Sequence, residues 1–188
     1  MSERQQDLRY KKAEQRLLTS LEQLLKQGKP IKVCELCRHA GMFESTFYRH
    51  YRSLHDLISQ KEKQIIRQFD QVLARASRRQ DDLPRIIQDT LIFIHKNRAD
   101  LRLLAYISHD KILLSLMAKL QPLTTRHWQP YTPSKRAFIF DVYSHEVVAV
   151  ITTWGQQEDF ATDHLIRHEH DIIYLTETAV KRLNYLVS

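Results

Sequence analysis

Apolar residues recur at helical spacing along almost the whole chain. From about Asp7 to Gln27 they are Leu8, Leu17, Leu18, Leu21, Leu24 and Leu25, with Lys and Arg on the other face, which predicts a basic amphipathic first helix. Gly28 follows at the position that ends a helix, and Pro30 blocks its continuation. A second helix is predicted over about Val33–His39, where Val33, Leu36, Cys37 and Ala40 can face inward before Gly41 turns the chain. A third covers about Glu44–Tyr51. There Phe47 and Tyr51 stand four apart for packing, while Ser45, Thr46, Tyr48, Arg49 and His50 project elsewhere.

Ser53 suits the N-cap of a fourth helix, with Asp56 three residues later and Leu54, Leu57 and Ile58 opening a new apolar pattern that runs to about Arg78. The polar run Arg78–Asp82, followed by Pro84, is the predicted domain boundary. Helices are then expected near 83–96, 98–107, 110–120, 134–154 and 163–186, with Pro122, Pro130 and Pro133 breaking up the stretch before 134. Three glycines and five prolines in 188 residues leave few tight turns for strands, so the chain is predicted to be all-α. The expected organisation is a three-helix head over residues 1–53, a connecting helix over 54–80, and a helical bundle over 81–188.

Charge divides the same way. Residues 1–80 hold 17 Lys and Arg against 9 Asp and Glu, a net +8, whereas the remainder is close to neutral at −1. The first part is therefore the candidate polyanion-binding half. No apolar run approaches the roughly 20 residues that cross a bilayer, and the N-terminus is polar, so a cytoplasmic protein is expected.

Two short helices flanking a glycine, the second rich in small and long polar side chains, read as a helix-turn-helix. Ser45 and Thr46 suit base edges in the major groove. Tyr48, Arg49 and His50 can hold phosphates, as can the N-terminus of the second helix at Lys32 and Val33. The string A-G-M-F-E-S-T-F-Y-R-H-Y, from Ala40 to Tyr51, followed by Ser53 and Leu57, resembles the DNA-binding domain of the TetR/AcrR transcriptional regulators, and the resemblance covers about residues 5–75.

That resemblance implies a DNA-binding head, a connecting helix, and a C-terminal domain that dimerises and often binds a small inducer. It places Glu44, Ser45 and Thr46 where base readers sit, and Tyr48 and His50 where phosphate contacts sit. Phe43 stands where the family usually has a Ser N-cap, so Ser45 or the Glu44 side chain is expected to close that helix end. Leu54 replaces a common phosphate-gripping Lys, a role open to His55 or Arg52. Val148–Ile166 is similar to the junction between the last two helices of many members, with Thr162 and Asp163 as caps. Those two helices are expected to pair with their mates in a homodimer suited to a palindromic operator.

Between the fifth and eighth helices, Phe93, Tyr106, His109, Trp128, Tyr143 and Trp154 are candidates for an effector pocket, against the alternative that such aromatics are plain core. Cys34 and Cys37 can be a redox pair or two small apolar groups on one helix face. His164, His168 and His170 can be metal ligands or exposed polar surface, and the latter is preferred because no Cys stands near. No nucleophile elbow, phosphate-binding glycine loop or HExxH is present, and adjacent residues such as His109 and Asp110 point different ways on a helix, so neither an enzyme nor a cofactor is expected. The expected function is a DNA-binding regulator, a repressor released by a small effector. A ligand-responsive activator and a non-specific architectural protein are the alternatives.

Overall fold

The computed structural model describes residues 3–28, 30–80, 83–125 and 131–155. They form eight helices: α1 (Glu3–Leu25), α2 (Val33–His39), α3 (Glu44–Tyr48), α4 (Leu54–Arg79), α5 (Leu83–Lys96), α6 (Arg98–Ser108), α7 (Lys111–Thr124) and α8 (Pro133–Gly155), with no strand among the described residues. The fold class is all-α. The helix expected near 163–186, its caps Thr162 and Asp163, and His164, His168 and His170 lie outside the described residues.

The chain divides into two compact units, Met1–Lys61 and Glu62–Ser188. The division falls inside α4, the helix expected over 54–80 as the connection between head and bundle. The physical reason is that α4 is amphipathic throughout: Leu57 is buried in the first unit, while Ile65, Phe69, Leu73 and Ala76 form the buried face in the second.

In the first unit the core is made by Leu17, Leu18, Leu21 and Leu24 of α1, Leu36, Cys37 and Ala40 around α2, and Phe47, Tyr51 and Leu57. Local chemistry fixes the helix ends. Gly28 adopts a left-handed φ of +68°, as a helix-ending glycine should. The Ser53 hydroxyl accepts the Asp56 N–H at 3.1 Å, and the Asp56 carboxylate accepts the Arg52 N–H at 2.9 Å, so the start of α4 is capped from both sides.

A polar network runs through this core. The buried Tyr51 hydroxyl donates to Glu14 Oε1 at 3.2 Å and accepts from Tyr10 at 2.8 Å, while Lys61 Nζ stands 3.9 Å from Glu14 Oε2. Burial first, then the Tyr10 hydrogen bond and the nearby Glu14, push the Tyr51 phenol well above its ordinary value near 10. A phenol whose folded pKa is raised contributes stability that is fully present below the unfolded value and lost as pH rises beyond it. Denaturant titrations between pH 9 and 11 should therefore give a falling stability that Tyr51→Phe flattens, by up to about 1.4 kcal/mol per pH unit. Parallel curves for the two proteins would show that the phenol ionises alike in both states.

In the second unit, the Phe69 and Phe93 rings pack at a tilt of 45° with centroids 4.9 Å apart, and Leu101, Leu103, Leu104, Ile112, Leu113, Leu116, Met117, Leu120, Ile139, Phe140 and Val148 are also buried in the core. Asp70 of α4 pairs with Lys119 of α7 at 2.8 Å, and Arg79 pairs with Asp89 of α5. Pro122 does not break the chain as expected but lies inside α7. It falls in the last turn, where the hydroxyls of Thr124 and Thr125 bond back to the Leu120 and Gln121 carbonyls at 3.1 and 2.7 Å. His109 and Asp110 link α6 to α7 with left-handed φ values of +48° and +63°, and the Asp110 carboxylate accepts the Thr152 hydroxyl of α8 at 3.0 Å.

Candidate nucleic-acid interface

The turn between α2 and α3 is built by backbone geometry and one side chain. The N–H of Met42 bonds to the Cys37 carbonyl at 2.8 Å and that of Gly41 to the Arg38 carbonyl at 3.1 Å, a Schellman ending that needs the positive φ of Gly41, +59°. Arg16 of α1 clasps this turn from outside, its Nη2 donating to the Ala40 carbonyl at 2.6 Å and the Gly41 carbonyl at 3.2 Å. A Cβ on Gly41 would come within 2.8 Å of that nitrogen, so a side chain here is strained by the dihedral and would push the guanidinium out of its clasp.

Past the turn the chain runs extended through Phe43, at φ −78° and ψ 141°, and its carbonyl receives the N–H groups of Thr46 and Phe47 at 2.9 and 3.3 Å. The side-chain cap expected from Ser45 or Glu44 is not formed; no side chain caps α3, because the helix begins on an apolar residue in the N-cap position. The helix is also shorter than the expected 44–51. His50 and Tyr51 both donate to the Phe47 carbonyl at 2.9 Å, which tightens the last turn after Tyr48.

Phe47 is fully buried and anchors α3 to the core, with Tyr51 beside it at a ring separation of 5.4 Å. The opposite side is open. Glu44, Ser45, Tyr48, Arg49 and His50 are exposed, and Thr46 is half-buried. Tyr48 packs edge-on against Phe47 at 5.4 Å, and the His50 ring lies 4.9 Å from that of Tyr10. Lys32 is the exposed, extended N-cap of α2, whose end likewise carries no side-chain cap, and Val33 is half-buried. Arg52 and His55, exposed, flank the start of α4. The DNA-binding candidates are thus exposed or partly so, and all fall in the first unit, within residues 32–55.

Two residues at this site were not singled out by sequence reasoning for what they do here. Arg16 reads as part of a solvated basic face, since nothing in the sequence signals that its guanidinium meets carbonyls 24 residues away. Phe43 reads only as a missing cap, yet its side chain is 83% exposed, the most open of the large apolar residues described. Its extended backbone at the helix entrance is the signal that sets it apart from Phe47.

The thiols at Cys34 and Cys37 are both free. Burial, followed by the nearby charges of Glu44 and Cys34, pushes the Cys37 thiol up from its ordinary value, which disfavours the nucleophilic thiolate a redox switch needs.

Of the residues expected to line an effector pocket, the four whose side chains are described do not come together. Phe93 is core against Phe69, Tyr106 is 63% exposed, His109 is exposed at the left-handed end of α6, and Tyr143 is half-buried with its ring 6.4 Å from that of Phe140. Trp128 and the side chain of Trp154 lie outside the description. Their helical registers explain the scatter: Tyr106 follows the buried run Leu103–Ala105 and so falls on the opposite face of α6. The interior lined by Phe69, Thr90, Ile94, Leu113, Leu116, Met117, Leu120 and Val148 holds only about 10 Å³ of free space, too little for any effector. An open cleft of about 330 Å³ is lined instead by Gln121, Pro122, Thr125, Pro133, Arg136 and Ala137.

Among the described residues no group of three or more His, Cys, Asp or Glu could hold a metal ion, and no helix is long and apolar enough to cross a membrane. No family model, curated protein or solved structure matches this chain.

Proposed function

We propose that the protein is a sequence-specific DNA-binding transcriptional regulator of the TetR/AcrR kind, acting as a homodimer on a palindromic operator and released from it by a small effector. The observation that carries the reading is the division of α3 and its exit into two sides. Phe47 and Tyr51 are locked into the core, and Glu44, Ser45, Tyr48, Arg49 and His50 are left in solvent. A five-residue helix with so many outward hydrogen-bonding groups on a basic unit fits a groove lined by phosphates.

In this reading Ser45 and Thr46 reach base edges. Tyr48, Arg49, His50, Lys32, Arg52 and His55 hold phosphates and so fix the register. The homodimer is supported by α8, a helix with apolar residues on every side and Phe138 left 54% exposed, as expected of a helix whose outer face meets a second copy. Two heads related by a two-fold axis would enter successive major grooves about 34 Å apart, and an effector that favours another separation would shift the population away from DNA. The effector itself rests on the resemblance of residues 5–75 to the family.

Selection of bound DNA from a random pool should return a palindrome. On that sequence, Thr46→Ala should relax preference at one base pair of each half-site, a loss of about 1–3 kcal/mol in discrimination. Tyr48→Phe and His50→Ala should weaken binding to all sequences alike. Unchanged affinity in all three variants by gel shift would remove these residues from the interface, and a pool without a consensus would favour the architectural alternative.

A further inference from the structure

We infer that Phe43 is a specificity-determining residue that reads the 5-methyl group of a thymine in the major groove. This rests on the DNA-binding reading above. At the entrance of α3 two neighbouring side chains are exposed, the phenyl ring of Phe43 and the carboxylate of Glu44. Neither can hold a phosphate, since the first has no hydrogen-bond donor and the second carries the same sign of charge. The rest of the exposed set is different: Ser45, Tyr48, Arg49 and His50 all offer donors.

A surface that approaches DNA with this corner must therefore turn it toward base edges. In the major groove the one apolar feature offered by the bases is the thymine methyl, and Phe is among the side chains that contact it. Insertion of the ring as a wedge between base steps is a minor-groove device and does not suit a recognition helix. The backbone fixes the point from which the side chain leaves the chain. Phe43 is held extended, with its carbonyl engaged by two α3 amides, directly after the clasped turn at Gly41.

The test uses the full chain and the palindrome selected from a random pool, with each thymine replaced in turn by uracil, which removes only the methyl. For the wild-type protein one position per half-site should lose affinity by about fourfold, the effect of leaving one methyl unburied, and about fifteenfold when both half-sites are changed. In Phe43→Ala that penalty should vanish while the effects of other uracils persist, and Phe43→Leu should retain part of it. Because the side chain is solvent-exposed, both variants should keep the helical circular dichroism of the parent. A penalty that persists in Phe43→Ala, or no uracil penalty at any position of a palindrome that still binds, overturns the inference and leaves the DNA-binding reading standing. A pool that yields no consensus overturns both.

Discussion

Replacing Phe47 by alanine should leave the first unit largely unfolded. The ring has no exposure and is the anchor of a helix only five residues long, so its removal takes away the transfer energy of a whole aromatic side chain and opens a cavity that the neighbouring rings of Tyr48 and Tyr51 cannot fill. Such truncations cost about 3–5 kcal/mol. A unit of this size has a total stability of only about 3–9 kcal/mol, so the loss is comparable with all it has. Hydrogen exchange is the appropriate readout, since it resolves the amides of α1, α2 and α3 from those of α5 to α8. Protection in the first group should fall by about two to three and a half orders of magnitude on the scale of tenfold per 1.4 kcal/mol. Retained protection there would mean that α3 is held by something other than this ring.

The second large effect is expected at Lys61. Its ammonium and the Glu14 carboxylate are both nearly enclosed, with side chains 7% and 10% exposed and 3.9 Å apart. Lys61→Met would leave the carboxylate inside with the Tyr51 hydroxyl as its remaining close donor. Removing one member of a buried pair costs about 3–5 kcal/mol, much of it the penalty of the stranded charge, so urea denaturation should show a loss of about 3 kcal/mol. The combination of Glu14→Gln with Lys61→Met removes both members of this pair and should lose less than the sum of the two single variants. A double variant whose loss equals the sum of the two would show that the groups do not act on each other.

Neither of these charged positions is legible as interior from the sequence, because Glu and Lys are exposed by default and only the three-dimensional register of α1 and α4 encloses them. What is legible is local. Gly28, Gly41 and Ser53 announce their roles through backbone conformation and capping chemistry, which depend on a few adjacent residues. Where an outcome depends on distant partners, the same reasoning fails in identifiable ways. Pro122 is an expected breaker that a helix accommodates in its last turn, with two threonine hydroxyls bonding back to carbonyls there. The single apolar pattern of α4 does not announce that Leu57 is buried in one unit while Ile65 and Phe69 are buried in the other. Aromatics at helical spacing look alike in sequence whether they become core, as Phe93 does, or surface, as Tyr106 does.

The candidate interface follows the same rule. The polar side of α3 can be read from spacing alone, because Phe47 and Tyr51 define the side that is taken. The open ring of Phe43 cannot, since its spacing of four from Phe47 suggests a shared face that the extended N-cap conformation denies it.

The Arg16 clasp has a practical bearing on how the α2–α3 segment could be transplanted. A graft of residues 33–51 onto another scaffold would carry every side chain of α3 and omit the cation that closes the bend preceding it. The smallest portable unit therefore starts within α1, upstream of Arg16, and a host that cannot present a guanidinium to the Ala40 and Gly41 carbonyls inherits the side chains of α3 without the clasp that sets their approach.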